Sequence, residues 1–167
     1  MRIALTGHRP ERLGFNSDEE HSDWENIRLW MADKIEDIVV LSNSDAPATV
    51  YCGMASGSDI AFGLVVSHMK DCGCNVRLCC VLPCKNYNSS HQYFELIKSH
   101  AYEWIELANG FYKGCDNARD QYMVDNCNFL LAAWDRNESG GVWSTIKKAN
   151  KAGKNIIYCP IENLKRQ

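Results

Sequence analysis

The chain lacks any apolar run near the ~20 residues that a membrane-spanning helix needs. Its opening, Met1-Arg2-Ile3-Ala4-Leu5-Thr6-Gly7-His8, turns polar too soon for a signal peptide. A cytoplasmic protein with no membrane partner is therefore expected. Proline is scarce, at 4 in 167 residues, and no linker, repeat or low-complexity stretch divides the chain, so a single domain over 1–167 is expected. Positive charge is not in excess. With 18 basic against 21 acidic residues the net charge is -3. That argues against a broad nucleic-acid-coating surface and leaves room only for a local basic pocket.

Paired Cys-x-x-Cys knuckles are also missing, although there are nine cysteines: Cys52, Cys72, Cys74, Cys79, Cys80, Cys84, Cys115, Cys127 and Cys159. An odd count without a secretion signal argues against a disulfide framework. Cys79 and Cys80, adjacent in a strand, would point to opposite faces, which suits no metal site. The thiols read as reduced core filling, and neither a metal nor a cofactor is expected.

What is present is an alternation of two hydrophobic periods. Strands are predicted at Arg2–Thr6, Ala48–Cys52, Asn75–Leu82, Glu103–Leu107, Asn128–Trp134 and Asn155–Cys159. Helical spacing covers Asp23–Leu41, Ser58–Met69, Ser89–His100, Asn117–Asn126 and Ser144–Lys151. Trp24 and Trp30 fall on the apolar face of the first helix. The polar tail Glu162–Gln167 is expected to fray. The order implies an α/β fold: a Rossmann-like three-layer sandwich with a mostly parallel sheet of about six strands.

Ligands of such sheets bind beyond the carboxyl ends of the strands, and three post-strand segments stand out. In Thr6-Gly7-His8-Arg9-Pro10, Gly7 permits close backbone approach, and Arg9 offers a bidentate fork to phosphate or carboxylate. In Gly53-Met54-Ala55-Ser56-Gly57-Ser58-Asp59, small residues lead into a helix N-terminus suited to an anion. Ser58 is its candidate cap, and Asp59 is a candidate acceptor for a ribose hydroxyl. In Trp134 to Thr145, a Gly140-Gly141 turn offers a second anion seat, with hydroxyls on Ser139, Ser144 and Thr145. Arg119 is a candidate second phosphate ligand. Trp143, Tyr93 and Gln92 are candidate walls for a base. Each segment alone is also explained by tight strand–helix packing; together on one sheet edge they point to a ligand.

With these motifs the chain resembles the SLOG superfamily, in particular its YpsA-like branch. The TGHRP-type opening is Thr6 to Pro10, followed by Leu13-Gly14. The GMA-x-G-x-D turn is Gly53 to Asp59. An RN-x-x-MVD-like stretch runs Arg119 to Asp125, and a GG-x-x-x-T-I helix start runs Gly140 to Ile146 before a closing strand at Lys154 to Pro160. The resemblance implies a Rossmann-like fold for nucleotides or nucleotide-derived ligands, in phosphoribohydrolases, single-strand DNA-processing proteins, or sensors of nucleotide signals in bacterial immunity. It also implies a homo-oligomer. One departure is chemical. The phosphoribohydrolases carry a Glu shortly after the Gly-Gly turn, where Lys147-Lys148 stand here, and N-glycosidic cleavage needs a carboxylate. The first expectation is thus a protein that senses or sequesters an ADP-ribose or cyclic-nucleotide species, as in bacterial or phage defence. A nucleotide N-glycosidase, with Asp59, Asp120, Asp135 or Glu138 substituting for that Glu, is the alternative. Nucleic-acid binding ranks third.

Overall fold

In a computed structural model, which describes residues 1–165, six parallel strands form one sheet in the order β4-β3-β2-β1-β5-β6. The strands are β1 (Arg2–Gly7), β2 (Ala48–Cys52), β3 (Val76–Leu82), β4 (Glu103–Glu106), β5 (Phe129–Ala133) and β6 (Asn155–Tyr158). The helices are α1 (Pro10–Leu13), α2 (Glu25–Ser42), α3 (Ser58–Asp71), α4 (Phe94–His100), α5 (Cys115–Asn126) and α6 (Gly140–Lys151), with 3-10 turns at Ser22–Trp24 and Ile161–Leu164. This is the α/β sandwich that the alternating periods imply. No helix among the described residues is long and apolar enough to cross a membrane.

The chain lays down β1 to β4 in one direction, then returns through α5 to place β5 on the free side of β1. Parallel crossovers keep one hand, so reversing direction sends later helices to the opposite face. The core shows this. Ile3, Leu5, Val50 and Leu78 pack with Ile27, Trp30 and Phe62 of α2 and α3. Ala4, Tyr51, Cys79 and Leu130 pack with Met123, Val124 and Ala149 of α5 and α6. The β1/β5 boundary is therefore the switch point, where open α/β sheets form their ligand crevice.

Differences from the sequence reading are local. Ser89 to Tyr93 forms successive turns and not a helix: Ser89 N–H reaches Asn86 O, His91 N–H reaches Asn88 O, and the Tyr93 amide donates to His91 Nδ1. Such local side-chain and turn bonds compete with helix propagation. α6 begins at Gly140 and not at Ser144, so the glycines open the helix. The tail does not fray as far as it is described: Ile161–Leu164 is a 3-10 turn whose Leu164 joins the core, while residues 166 and 167 of the expected frayed end lie outside the described residues. Of the cysteines, Cys72 is exposed, Cys74 half-buried and the others buried, all as free thiols.

Gly7 carries the contact between β1 and α3. A Cβ there would lie 2.4 Å from Ser58 Cβ and 3.1 Å from Ala133 Cβ. Gly7→Ala should therefore force α3 off the sheet, at a cost of about 1–3 kcal/mol. Denaturant unfolding that shows an unchanged stability would refute this packing.

Candidate functional site

A cleft of about 610 Å³ opens beyond the carboxyl ends of the strands at the switch point. Its floor is Leu5, Thr6 and Gly7; Ala55 and Asp59 stand on one side, Asp116, Arg119 and Asp120 on another, and Ser139 to Val142 on a third. His8, Arg9, Glu11, Arg12 and Met123 complete the lining.

Arg119 organises the acidic side. It is buried, at 6% exposure. Its Nη1 donates to Gly53 O at 2.6 Å and its Nε to Asp120 Oδ1 at 3.1 Å. Asp59 Oδ2 lies 3.8 Å from Nη1 and Asp116 Oδ1 3.9 Å from Nη2. Burial works against the guanidinium charge, but Asp59 and Asp120 outweigh it and hold its pKa above the ordinary value. Asp59 is the converse case: burial pushes its carboxyl up to about 6, against the pull of Arg119 and with help from Asp120. Thr145 is buried behind this group and donates to Asp120 Oδ2 at 3.2 Å.

The two helix N-termini differ in what they leave open. At α3 the donors of Ala55, Gly57 and Ser58 are already taken. Gly57 N–H donates to Glu19 Oε1 at 2.7 Å, Ser58 N–H and Oγ–H both reach His8 O, and Ala55 N–H donates to Asp59 Oδ2. Glu19 is fully buried, with its Oε2 3.3 Å from His91 Nε2. Gly57 has a φ of +91°, and a Cβ there would meet His8 O at 2.9 Å, so only glycine serves. At α6 the cap residue Ser139 makes no side-chain cap bond, and Gly140, Gly141 and Val142 face the cleft. The first-turn amides of a helix have no intrahelical acceptor and carry its positive dipole end.

Arg12 and Asp135 frame that open end. Arg12 Nε donates to Asp135 Oδ2 at 2.7 Å and Arg12 Nη2 to Ser139 Oγ at 3.3 Å. Burial opposes ionisation of Asp135, but Arg12, the Asn137 amide and His8 hold its carboxyl at about 2. His8 Nε2 accepts from the Asp135 amide at 3.2 Å when neutral and stands 3.0 Å from Asp135 Oδ1 for an ion pair when protonated. Burial lowers the His8 pKa despite that carboxylate, which favours the neutral form.

The structure thus brings Thr6, Gly7, His8, Arg9, Ala55, Asp59, Arg119, Ser139, Gly140 and Gly141 around one space. Gly53, Met54, Gly57, Asp135 and Thr145 lie behind the lining as supports. Trp143 does not reach the cleft. In the first turn of α6 its ring stacks on Trp134, with centroids 5.2 Å apart and planes at 8°. Tyr93 points elsewhere too, donating to Asp18 at 2.6 Å, and Gln92 is exposed away from the lining. Lys148 bonds to Asn117 and does not line the cleft. Sequence reading missed Arg12, Glu11 and Asp116. Arg12 had a signal, as the next basic residue one short turn after Arg9.

No protein-family model matches the chain, and a search of curated proteins finds no match either.

Because the folded state holds the Asp59 proton more tightly than the unfolded chain, whose carboxyl titrates at 3.8, the site's contribution to stability falls as pH rises from 3.8 through about 6. A carbon-detected titration should give Asp59 a midpoint near 6, and Asp59→Asn should flatten the stability profile across that window. A midpoint near 4 would show that burial does not control this carboxyl.

Proposed function

We propose that the protein binds a nucleotide-derived small molecule, of the ADP-ribose or cyclic-nucleotide kind, as a sensor or sequestering module. The observation that carries this is the polarity of the cleft. One end offers unpaired helix amides at Gly140 to Val142 with Arg12 beside them, and Arg9 also lines the cleft. The other end offers Asp59, Asp116 and Asp120 around Arg119. Phosphate suits the first end, since amides and arginine forks favour anions. Ribose hydroxyls suit the second, since carboxylates accept from them. A volume of about 610 Å³ falls within the range of small-molecule sites. The occupied donors at α3 shift the phosphate seat from the Gly53–Gly57 turn to α6.

In this reading the chain is a member of the SLOG superfamily, a homo-oligomer acting in a defence pathway against phage. Light scattering measures the oligomer. The alternative, a nucleotide N-glycosidase, is favoured by one observation: Asp59, with its carboxyl pushed up to about 6, is able to carry a proton close to neutral pH at the wall of the cleft. Chromatography of nucleoside monophosphates and ADP-ribose after incubation separates the two readings, because only the enzyme releases free base.

Calorimetry against a nucleotide panel tests the binding reading directly; no affinity tighter than millimolar would sink it. Arg9 is exposed and forms no ion pair among the described residues. Arg9→Ala should therefore weaken binding more than tenfold with an unchanged melting temperature. An unchanged affinity would remove Arg9 from the site.

A further inference from the structure

The turn between β3 and α4 contributes nothing to the cleft lining, yet one of its side chains, Tyr87, contacts two lining residues. The half-buried Tyr87 accepts a hydrogen bond from Arg9 Nη2 at 3.4 Å, and its ring centroid lies 5.8 Å from Arg119 Cζ. It thus touches the exposed arginine of the mouth and the buried arginine of the wall.

Tyr87 is held there by strained backbone. Asn86 and Asn88 on either side have φ values of 59° and 54°. Asn88 Nδ2 donates to Met54 O at 2.9 Å and to Ser56 Oγ at 3.3 Å, and Met54 is itself left-handed at φ 63°. Three non-glycine residues in a sparsely populated region therefore meet where the β3–α4 turn is tied to the 53–57 turn. Such conformations persist only where surrounding contacts enforce them. The result is a phenol held in place beside the exposed Arg9.

The hydrogen-bond balance at this phenol is incomplete. Its oxygen accepts from Arg9, but its O–H donates to no group among the described residues. Arg9 has five donors, and one is spent on the phenol. We infer that Tyr87 is a further ligand-binding residue: its free O–H donates to the phosphate oxygen that Arg9 neutralises, forming a two-donor clamp at the cleft mouth. A phenol O–H to an anionic oxygen is a charge-assisted bond, stronger than a neutral one. Burial raises the phenol pKa, so the proton stays available to donate at neutral pH. Tyr87 thereby does for the phosphate what no aromatic of the lining does for the base: it selects ligands that carry an anionic oxygen at the mouth.

This inference rests on the nucleotide reading for the identity of its ligand. Its test is calorimetry with ADP-ribose and with inorganic phosphate on the wild type, Tyr87→Phe, Arg9→Ala and the double variant. Tyr87→Phe keeps the ring over Arg119 and removes only the hydroxyl. It should weaken ADP-ribose binding about five- to tenfold, and should add little once Arg9 is already alanine, because the two donors share one oxygen. Equal binding by wild type and Tyr87→Phe would overturn the clamp while leaving the nucleotide reading intact. Failure of the wild type to bind either probe would overturn both. A phenolate absorbance titration, taken as wild type minus Tyr87→Phe, adds a check that a purely structural tyrosine would fail. Bound ADP-ribose should raise the Tyr87 midpoint by placing an anionic oxygen against the phenol, and an unmoved midpoint would overturn the inference.

Discussion

The buried guanidinium of Arg119 is the contact on which the candidate site depends. It sits on α5, on one face of the sheet, and grips Gly53 O at the start of the turn leading to α3, on the other face. This side chain joins the two helix layers beyond the strand ends. Arginine suits the task because its planar fork reaches several acceptors at once and keeps its charge when desolvated. Removing it would strand Asp59, Asp120 and a carbonyl in a poorly hydrated wall, and an uncompensated buried charge costs several kcal/mol. The raised carboxyl of Asp59 follows from the same arrangement: its burial outweighs the pull of the Arg119 guanidinium beside it.

The cleft gains its polarity from a competition for helix donors. Both α3 and α6 start at glycine-containing turns beside the switch point. At α3 the fold itself supplies the acceptors, with Glu19 on Gly57 and the His8 carbonyl on Ser58. At α6 it supplies none for the first turn and sets Arg12 alongside. On the proposed reading, phosphate would take the α6 side of the crevice and ribose hydroxyls the carboxylate side. Tyr87, carried on left-handed backbone from a third turn, contacts both Arg9 and Arg119.

Much of this was legible in the residues. The strand at 48–52 and the helix starting at Ser58 are where the hydrophobic periods put them, because a strand covered on both faces needs a continuous apolar run. The TGHRP segment, the Gly53–Asp59 turn and the Gly140-Gly141 turn do converge on one cleft, since each follows a strand end at the same sheet edge. Tyr87 and Asp116 were not legible, as both belong to turns or helix starts far away in sequence. Trp143 was misplaced because Gly140 opens α6 four residues earlier than periodicity indicated, which rotates the indole onto Trp134. The turns at 89–93 were read as helix because their apolar spacing is helical while their hydrogen bonds are local.

The sequence by itself determined the alternation of strands and helices, the parallel α/β class, and the set of glycine, arginine and carboxylate residues that gather beyond the strands. These follow from properties carried within a few residues: period, chain flexibility and side-chain type. Only the tertiary structure decided which helix N-terminus keeps its donors, which arginine is buried and which is exposed, and which aromatic meets both arginines. Those outcomes depend on partners far apart in the chain, such as Glu19 with Gly57, Arg119 with Gly53, and Tyr87 with Arg9. Hydrogen bonds and desolvation are set by what surrounds a group in space, and no local pattern encodes that.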